Sequence, residues 1–588
     1  MRFHILSGTA AALMVAGLVA CGGDGGDKTL ACDSSIQNEF KPDALTTVLR
    51  VKEFKKGDAL LLSGEPTPST PKAENDLCLV KLNVGPGNPG PVGSPSTSPG
   101  IGIEVWLPKK ENWNRRLHVK GGGGWAGGPH GTVTGLVANS GSAGSAAEAA
   151  GVEGAVSATT DTGHSVGNGS FAMNPDGTIN EVLWRDFSER GLHQTALKTK
   201  ALARAYYAEE HRYAYWNGFS TGGRQGMKEV QVHPADYDGV LAGAPVVNWT
   251  KFITTELYPQ IVMQRDLGGV LLTAAQQSTV GAASIASCGT IGGVNLGYII
   301  DPLACRYDPT LDPGVLCTTA GGTNATAGCV TAVQAQAFNK IWYGQTPDGS
   351  VPSPASDNGT GITTAPNHKW YGLTRGTALG ALTGANPFGV ATDQVALSLQ
   401  DPRIAQPSFV NAKANGENGW RNLTYAQLNT AWDLGVALQP RFADINTDNP
   451  NLSTFRDRGG KILSYHGLAD TLVPPQGTIH YYNRVAGAMG GIPAVQGFYR
   501  LYMIPGMGHG FSNGSAVPAA VPLPTNAQLY QILTDWVEKG IAPPARVDVS
   551  SLTSTAFPSS VSRPICLYPL KPTYIGGPAT AAGSYTCS

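Results

Sequence analysis

The sequence predicts an α/β fold: a mostly parallel sheet flanked by helices and interrupted by one long insertion. Three observations carry this reading. Short apolar runs at 117–120, 155–160, 214–217 and 240–243 each end in a turn rich in glycine or small polar residues. Helical stretches fall between them, at about 190–208 and 222–232. Beyond Pro245 the alternation stops, and it resumes only at Gly460. Strands alternating with helices give a parallel sheet covered on both faces.

The chain has 588 residues, enough for a full core and too many for one compact domain without a large insertion. Lys and Arg number 41 against 42 Asp and Glu, a net charge of −1 with no basic or acidic block. Nothing in this balance suggests nucleic-acid binding, and no nucleic-acid partner is expected. Charged residues make up only 14%, while Gly (76) and Pro (41) are abundant, which reads as a loop-rich surface. Hydrophobics at 41% still supply a packed core, so global disorder is excluded. No repeat at a fixed period is present, which excludes solenoids and coiled coils.

At the N-terminus, Arg2 and His4 precede an apolar run from Ile5 to Ala20, too short for a transmembrane helix. The run ends in Leu18-Val19-Ala20-Cys21, which resembles a bacterial lipoprotein cleavage site. Residues 1–20 are expected to be a signal peptide, Cys21 the lipidated residue and 21–29 a flexible tether. The expected location is exported: a membrane-anchored lipoprotein facing the periplasm or the cell exterior, or a secreted protein. An ordinary secretory signal with an incidental cysteine is the alternative. Eight further cysteines fit four disulfides in an oxidising compartment. Nearest-neighbour pairing is the simplest of the 105 possible patterns: Cys32–Cys78, Cys288–Cys305, Cys317–Cys329 and Cys566–Cys587. No CxxC or Cys/His metal spacing occurs, so neither a metal nor a cofactor is expected.

The runs 78–84 and 102–108 read as strands with the Pro/Gly/Ser segment 85–100 as a loop between them. After Pro245 about 200 residues lack the strand–helix rhythm. The segment 246–456 is therefore a lid-like domain inserted between two parts of one core, 30–245 and 457–588. Strands return at 460–466 and 497–504, and a helix at about 526–539.

Gly218-Phe219-Ser220-Thr221-Gly222 follows an apolar strand and opens a helix, the setting of a nucleophile elbow. A serine hydroxyl needs a base, and the base needs an acid to orient it. Asp470 and His509 each follow a strand, and the order Ser–Asp–His is that of an α/β-hydrolase core with an inserted lid. His466 precedes the acid on the same strand end and fits less well as the base; His164 is expected to be structural. The oxyanion hole needs two backbone donors. The Thr221 N–H and the glycine loop 121–124, at Gly123 and Gly124, are the candidates. That loop lacks the GxxxxGK[ST] pattern of a phosphate site.

With these motifs the chain resembles the tannase and feruloyl esterase family of α/β-hydrolases, which includes mono(hydroxyethyl) terephthalate hydrolases. The resemblance spans roughly residues 30–588. It rests on the glycine loop, Thr160-Asp-Thr-Gly-His164, Gly218-Phe-Ser-Thr-Gly-Gly-Arg224, Asp236-Tyr-Asp-Gly-Val-Leu-Ala-Gly-Ala-Pro245, Ala443-Asp-Ile-Asn-Thr-Asp-Asn-Pro-Asn-Leu452, Phe455-Arg-Asp-Arg-Gly-Gly-Lys461 and the segments around Asp470 and His509. It implies Ser220 as nucleophile, Asp470 as acid, His509 as base, and a lid over the acyl side of the substrate.

Two departures stand out. The family usually joins a cysteine before the serine to one after the histidine; here those positions are Phe219 and Gly510, and Phe219 is expected to fill the volume of the disulfide. The family often binds calcium in a loop between two cysteines. The matching segment 288–305 has one carboxylate, Asp301, and calcium takes about six to eight oxygens, so no calcium is expected there.

The expected activity is serine carboxylic-ester hydrolysis of a small-molecule aromatic ester (hydroxycinnamate, gallate or terephthalate type) through an acyl-enzyme. Lid aromatics Trp249, Trp342, Trp370, Tyr371, Trp420 and Trp432 are candidates to stack on the acyl group. Trp370 and Arg375 are singled out as substrate contacts, Arg375 for a substrate carboxylate. The alternatives are an esterase for aliphatic or hydroxyalkanoate oligomers and a non-catalytic ligand-binding lipoprotein on the same fold.

Overall fold

A computed structural model describes residues 29–137, 142–361 and 366–588. The expected signal peptide and Cys21 lie outside the described residues. The central sheet has seven strands: β4 (Arg116–Lys120), β6 (Tyr213–Phe219), β7 (Gly239–Gly243), β8 (Lys461–Gly467), β9 (Tyr499–Ile504), β10 (Arg546–Ser550) and β11 (Ser562–Leu567), in the order β10-β11-β9-β8-β7-β6-β4. From β4 to β9 all neighbours are parallel, and β11 and β10 close the edge antiparallel. The parallel strands are buried almost throughout, as expected where helices cover both faces. Because they run the same way, their C-terminal ends open on one rim.

A second, antiparallel sheet joins β1 (Thr46–Phe54), β2 (Leu77–Val84), β3 (Ile101–Pro108) and β5 (Ser157–Thr160). A parallel bridge between Leu117 and Val156 connects it to β4. Helices α1 (Gly191–Tyr207), α2 (Thr221–Val232) and α10 (Asn526–Lys539) lie at the positions expected from their apolar patterning.

The insertion is mainly helical. It contains α3 (Trp249–Glu256), α4 (Tyr258–Asp266), α5 (Ala274–Cys288), α6 (Ala332–Tyr343), α7 (Gly389–Leu399) and α8 (Tyr425–Ala437). Three of these start at a Thr-x-x-Gln capping box, on Thr273, Thr331 and Thr424, which satisfies otherwise orphaned N–H groups. The insertion shares its core with the first part of the chain: Trp125, Phe171, Trp184 and Phe187 pack in one cluster with Trp249, Phe252, Val395 and Phe442. α9 (Pro475–Ala488) follows β8.

The four disulfides are Cys32–Cys78, Cys288–Cys305, Cys317–Cys329 and Cys566–Cys587, the nearest-neighbour pattern. In the segment between Cys288 and Cys305, the Asp301 carboxylate takes the Lys571 ammonium at 2.6 Å.

The segment 443–447 joins α2 to α3. Ala443, Asp444 and Thr447 all have left-handed φ angles, so the chain curls and turns carbonyls toward α2. Lys228 donates to the carbonyls of Ala443 and Asp444 at 3.1 and 3.0 Å. Arg224, fully buried, donates to the carbonyls of Ser188 and Phe187. On the other side the Asn446 side chain accepts the Thr250 N–H at 2.8 Å, at the start of α3.

Candidate active site

Ser220 sits between β6 and α2 with φ +59° and ψ −123°, a strained conformation for a residue with a side chain. The flanking glycines are required by space. A Cβ on Gly218 would lie 2.3 Å from the Gly222 backbone, and one on Gly222 would lie 2.3 Å from Ser142 Oγ. The elbow is pinned from two sides. The Ser220 N–H donates to the Gly243 carbonyl at 2.9 Å. The Phe219 N–H donates to Ser142 Oγ at 3.0 Å, and that hydroxyl donates to the Gly121 carbonyl at 3.0 Å. Ser142 thus ties the elbow to the glycine loop, a role with no local sequence signal.

β8 and β9 deliver the other two residues. His509 Nε2 lies 3.0 Å from Ser220 Oγ, and its Nδ1 lies 2.9 and 3.0 Å from the two oxygens of Asp470. Asp470 is fully buried, and its Oδ1 also accepts the N–H groups of Leu472 and Val473 at 2.9 and 2.8 Å. Burial alone would raise its pKa; the charge of His509 and the hydrogen bonds from His466 and His509 outweigh this and hold it well below the usual carboxylate range. The carboxylate fixes the proton of His509 on Nδ1, leaving Nε2 free to accept from the serine. His466 is a second imidazole on the same acid: its Nε2 is 3.2 Å from Asp470 Oδ2 and its Nδ1 is 2.8 Å from Thr478 Oγ1.

These residues border a cavity of about 500 Å³ that also includes Gly123, Gly124 and Thr221. Gly124 has φ +52°, and its carbonyl accepts the Thr221 hydroxyl at 2.8 Å, so the loop and the helix start face each other. His164 supports the loop. Its Nε2 donates to the Trp125 carbonyl at 2.7 Å and its ring stacks on Phe171 at 3.5 Å between centroids. Asp161 holds the preceding turn by accepting the N–H groups of Gly102 and Gly163.

Much of the cavity wall is apolar. Trp249, Phe252 and Ile253 from α3, Phe388, Val390 and Leu472 line it, with one carboxyl, Glu256. Neither lysine nor arginine lines it among the described residues. Two sequence expectations need correction here. Arg375 does not reach the cavity: its guanidinium donates to the carbonyls of Tyr307 and Asn358 at 2.8 and 3.0 Å and lies over the Trp342 ring, inside the lid. Trp370 is 3% exposed and packs against His480 and Gly477 behind the cavity wall, because its two-residue strand pairs with Gly344 and Gln345. Trp342 and Trp420 belong to lid cores, and of the six lid aromatics considered Trp249 is the one on the cavity. Sequence reasoning missed Glu256, the acidic residue on the apolar face of α3.

Comparison with known proteins gives a consistent result. The family described as "Tannase and feruloyl esterase" matches residues 91–588. A probable feruloyl esterase of Arthroderma benhamiae is 32% identical over 534 residues, covering 89% of this chain and 88% of that one. Feruloyl esterase B of Aspergillus niger is 28% identical over 488 residues, covering 80% and 79%. Among solved structures, feruloyl esterase B from Aspergillus oryzae superimposes with a TM-score of 0.70 at 26% identity, over 95% of this chain and 99% of that one.

Proposed function

This chain belongs to the tannase and feruloyl esterase family and is a carboxylic ester hydrolase of that type, and on that premise we propose that it is an exported enzyme cleaving esters of neutral aromatic acids through a Ser220–His509–Asp470 triad. The observation that carries the reading is His509, bonded at 3.0 Å to Ser220 Oγ and at 2.9 Å to Asp470, beside a cavity walled by Trp249 and Phe252.

In the reaction Ser220 Oγ attacks the ester carbonyl carbon while His509 Nε2 takes its proton. Negative charge develops on the carbonyl oxygen. In this reading the Thr221 N–H, at the positive end of α2, and the backbone of Gly123–Gly124 receive it. Asp470 stays ionised and stabilises the imidazolium. His509 then protonates the departing alcohol oxygen, leaving the acyl group on Ser220. Water, deprotonated by His509, attacks the acyl carbon, and the acid leaves as Ser220 recovers its proton.

The lining favours uncharged acyl groups. A ring bearing a carboxylate, as in terephthalate, would bury a charge beside Glu256 with no cation among the described lining residues to pair it. Hydroxycinnamate and gallate rings bring no such charge and can pack on Trp249 and Phe252. Export is supported by the four disulfides, and anchoring by the Cys21 motif.

The test is hydrolysis of methyl ferulate, methyl gallate, mono(hydroxyethyl) terephthalate and short alkyl esters, with Ser220→Ala beside the parent. Turnover of the first two, lost in the alanine variant, is the expected result. Turnover of alkyl esters alone would transfer the reading to aliphatic substrates, and no turnover by folded protein would refute it.

A further inference from the structure

Trp249, Phe252, Ile253 and Glu256 stand at i, i+3, i+4 and i+7 of α3, so they share one face of the helix. All four line the cavity that holds Ser220. Three are apolar, as the face requires. The fourth is a carboxyl that is 3% exposed, and neither of its oxygens has a hydrogen-bond partner. Buried polar groups in folded proteins are nearly always paired, and a ligand entering this cavity is one source of the missing partner. Glu256 also borders a second cavity of about 10 Å³, with Thr255, Tyr258 and Tyr371, scarcely room for one water. Phe252, Glu256 and Leu472 form the wall common to both.

We propose that the Glu256 carboxyl is a specificity-determining group, which selects acyl rings carrying a phenolic hydroxyl by exchanging hydrogen bonds with it. This rests on the proposed aromatic esterase reading. Burial, with a smaller contribution from the Asp470 charge, pushes Glu256 well above the ordinary carboxylate range. As a neutral acid it carries one O–H donor and one carbonyl acceptor. A phenol offers the complement, a donor and an acceptor on one oxygen. A bare or fully methylated ring cannot supply both and leaves the acid orphaned. A carboxylate adds a second negative charge close to Asp470.

The experiment compares kcat/KM of the exported protein for methyl ferulate, methyl 3,4-dimethoxycinnamate and methyl cinnamate, with Glu256→Gln and Glu256→Leu. The parent is expected to prefer ferulate by about tenfold or more, since a site built around a substrate hydroxyl rejects analogues that lack it. In E256L the preference should collapse to within about threefold. E256Q, whose amide still donates and accepts, should retain it. A parent that turns over all three equally, or an E256L variant that keeps the parent's ratio, overturns the proposal while leaving the esterase standing. Turnover of alkyl esters alone removes the aromatic reading and this proposal together. If E256L does not fold, Glu256→Met supplies the apolar variant and is held to the same ratio.

Discussion

The rings of Phe219 and His509 lie 4.9 Å apart between centroids, inclined at 60°, so the residue before the nucleophile packs directly on the catalytic-base candidate. Phe219 also approaches Tyr465 at 6.0 Å and borders the cavity. These contacts stand where the family resemblance implies a disulfide between the positions of Phe219 and Gly510. We propose that dispersion and burial here do the tethering that a covalent bond would do.

Phe219→Ala should therefore damage both stability and turnover. Truncating a buried phenylalanine costs about 3–5 kcal/mol, and a freed His509 loses its alignment. The expected outcome is a lower Tm together with a fall in kcat on methyl ferulate. Unchanged melting and unchanged turnover would show that the ring holds nothing.

Two imidazoles contact Asp470, and only one reaches the serine. His509→Ala should remove essentially all turnover, whereas His466→Gln should lower kcat by about tenfold or less, through Asp470 alone. Asp470→Asn should cost about 10⁴ in kcat, because the tautomer of His509 is no longer fixed. Equal losses for the two histidine variants would mean that His466 takes part in proton transfer.

Ser142→Ala strips the Phe219 N–H of its acceptor and the Gly121 carbonyl of a donor. One such loss costs about 1–3 kcal/mol. Because the elbow and the glycine loop both relax, kcat should fall more than KM rises, read from saturation curves on methyl ferulate. A KM effect alone would place Ser142 in substrate binding instead.

Two buried histidines should make a pH-dependent contribution to stability that is lost on acidification. Burial lowers His130 to about 3 and His164 to about 4, from about 6.5 when unfolded. At these two sites the unfolded chain binds more protons between these values, so their contribution to stability is full above about pH 6.5 and drains as pH falls toward about 4. Each pKa unit is worth about 1.4 kcal/mol, so the loss amounts to a few kcal/mol per histidine. Asp161 and Asp393, raised by burial to about 8 and about 7, titrate in the same window with the opposite sign, so the readout is a difference: the Tm of the parent should fall relative to that of His164→Gln from pH 7.5 to 4.5. A Tm difference between the two proteins that does not change with pH would contradict the assignment.

Much of this protein could be read from its sequence because the signals are local. A strand running into Gly218-Phe219-Ser220-Thr221-Gly222 and then a helix is a turn that only those residues can make, and Asp470 and His509 follow strands whose apolar runs are visible by eye. Parallel strands then bring the three ends to one rim whatever lies between them. Cysteine pairs close in sequence find each other for the same reason of short loops. What the tertiary structure alone decided is which side chains face the substrate cavity. Trp249 and Trp370 are both tryptophans of a lid buried on every side, where apolar periodicity carries no direction. One lines the cavity and the other backs its wall because of a two-residue strand pairing across the insertion. Ser142 meets Phe219 across 77 residues of chain, and Glu256 shares a cavity wall with Leu472, more than 200 positions away. Such facts belong to long-range packing, which no window of residues encodes.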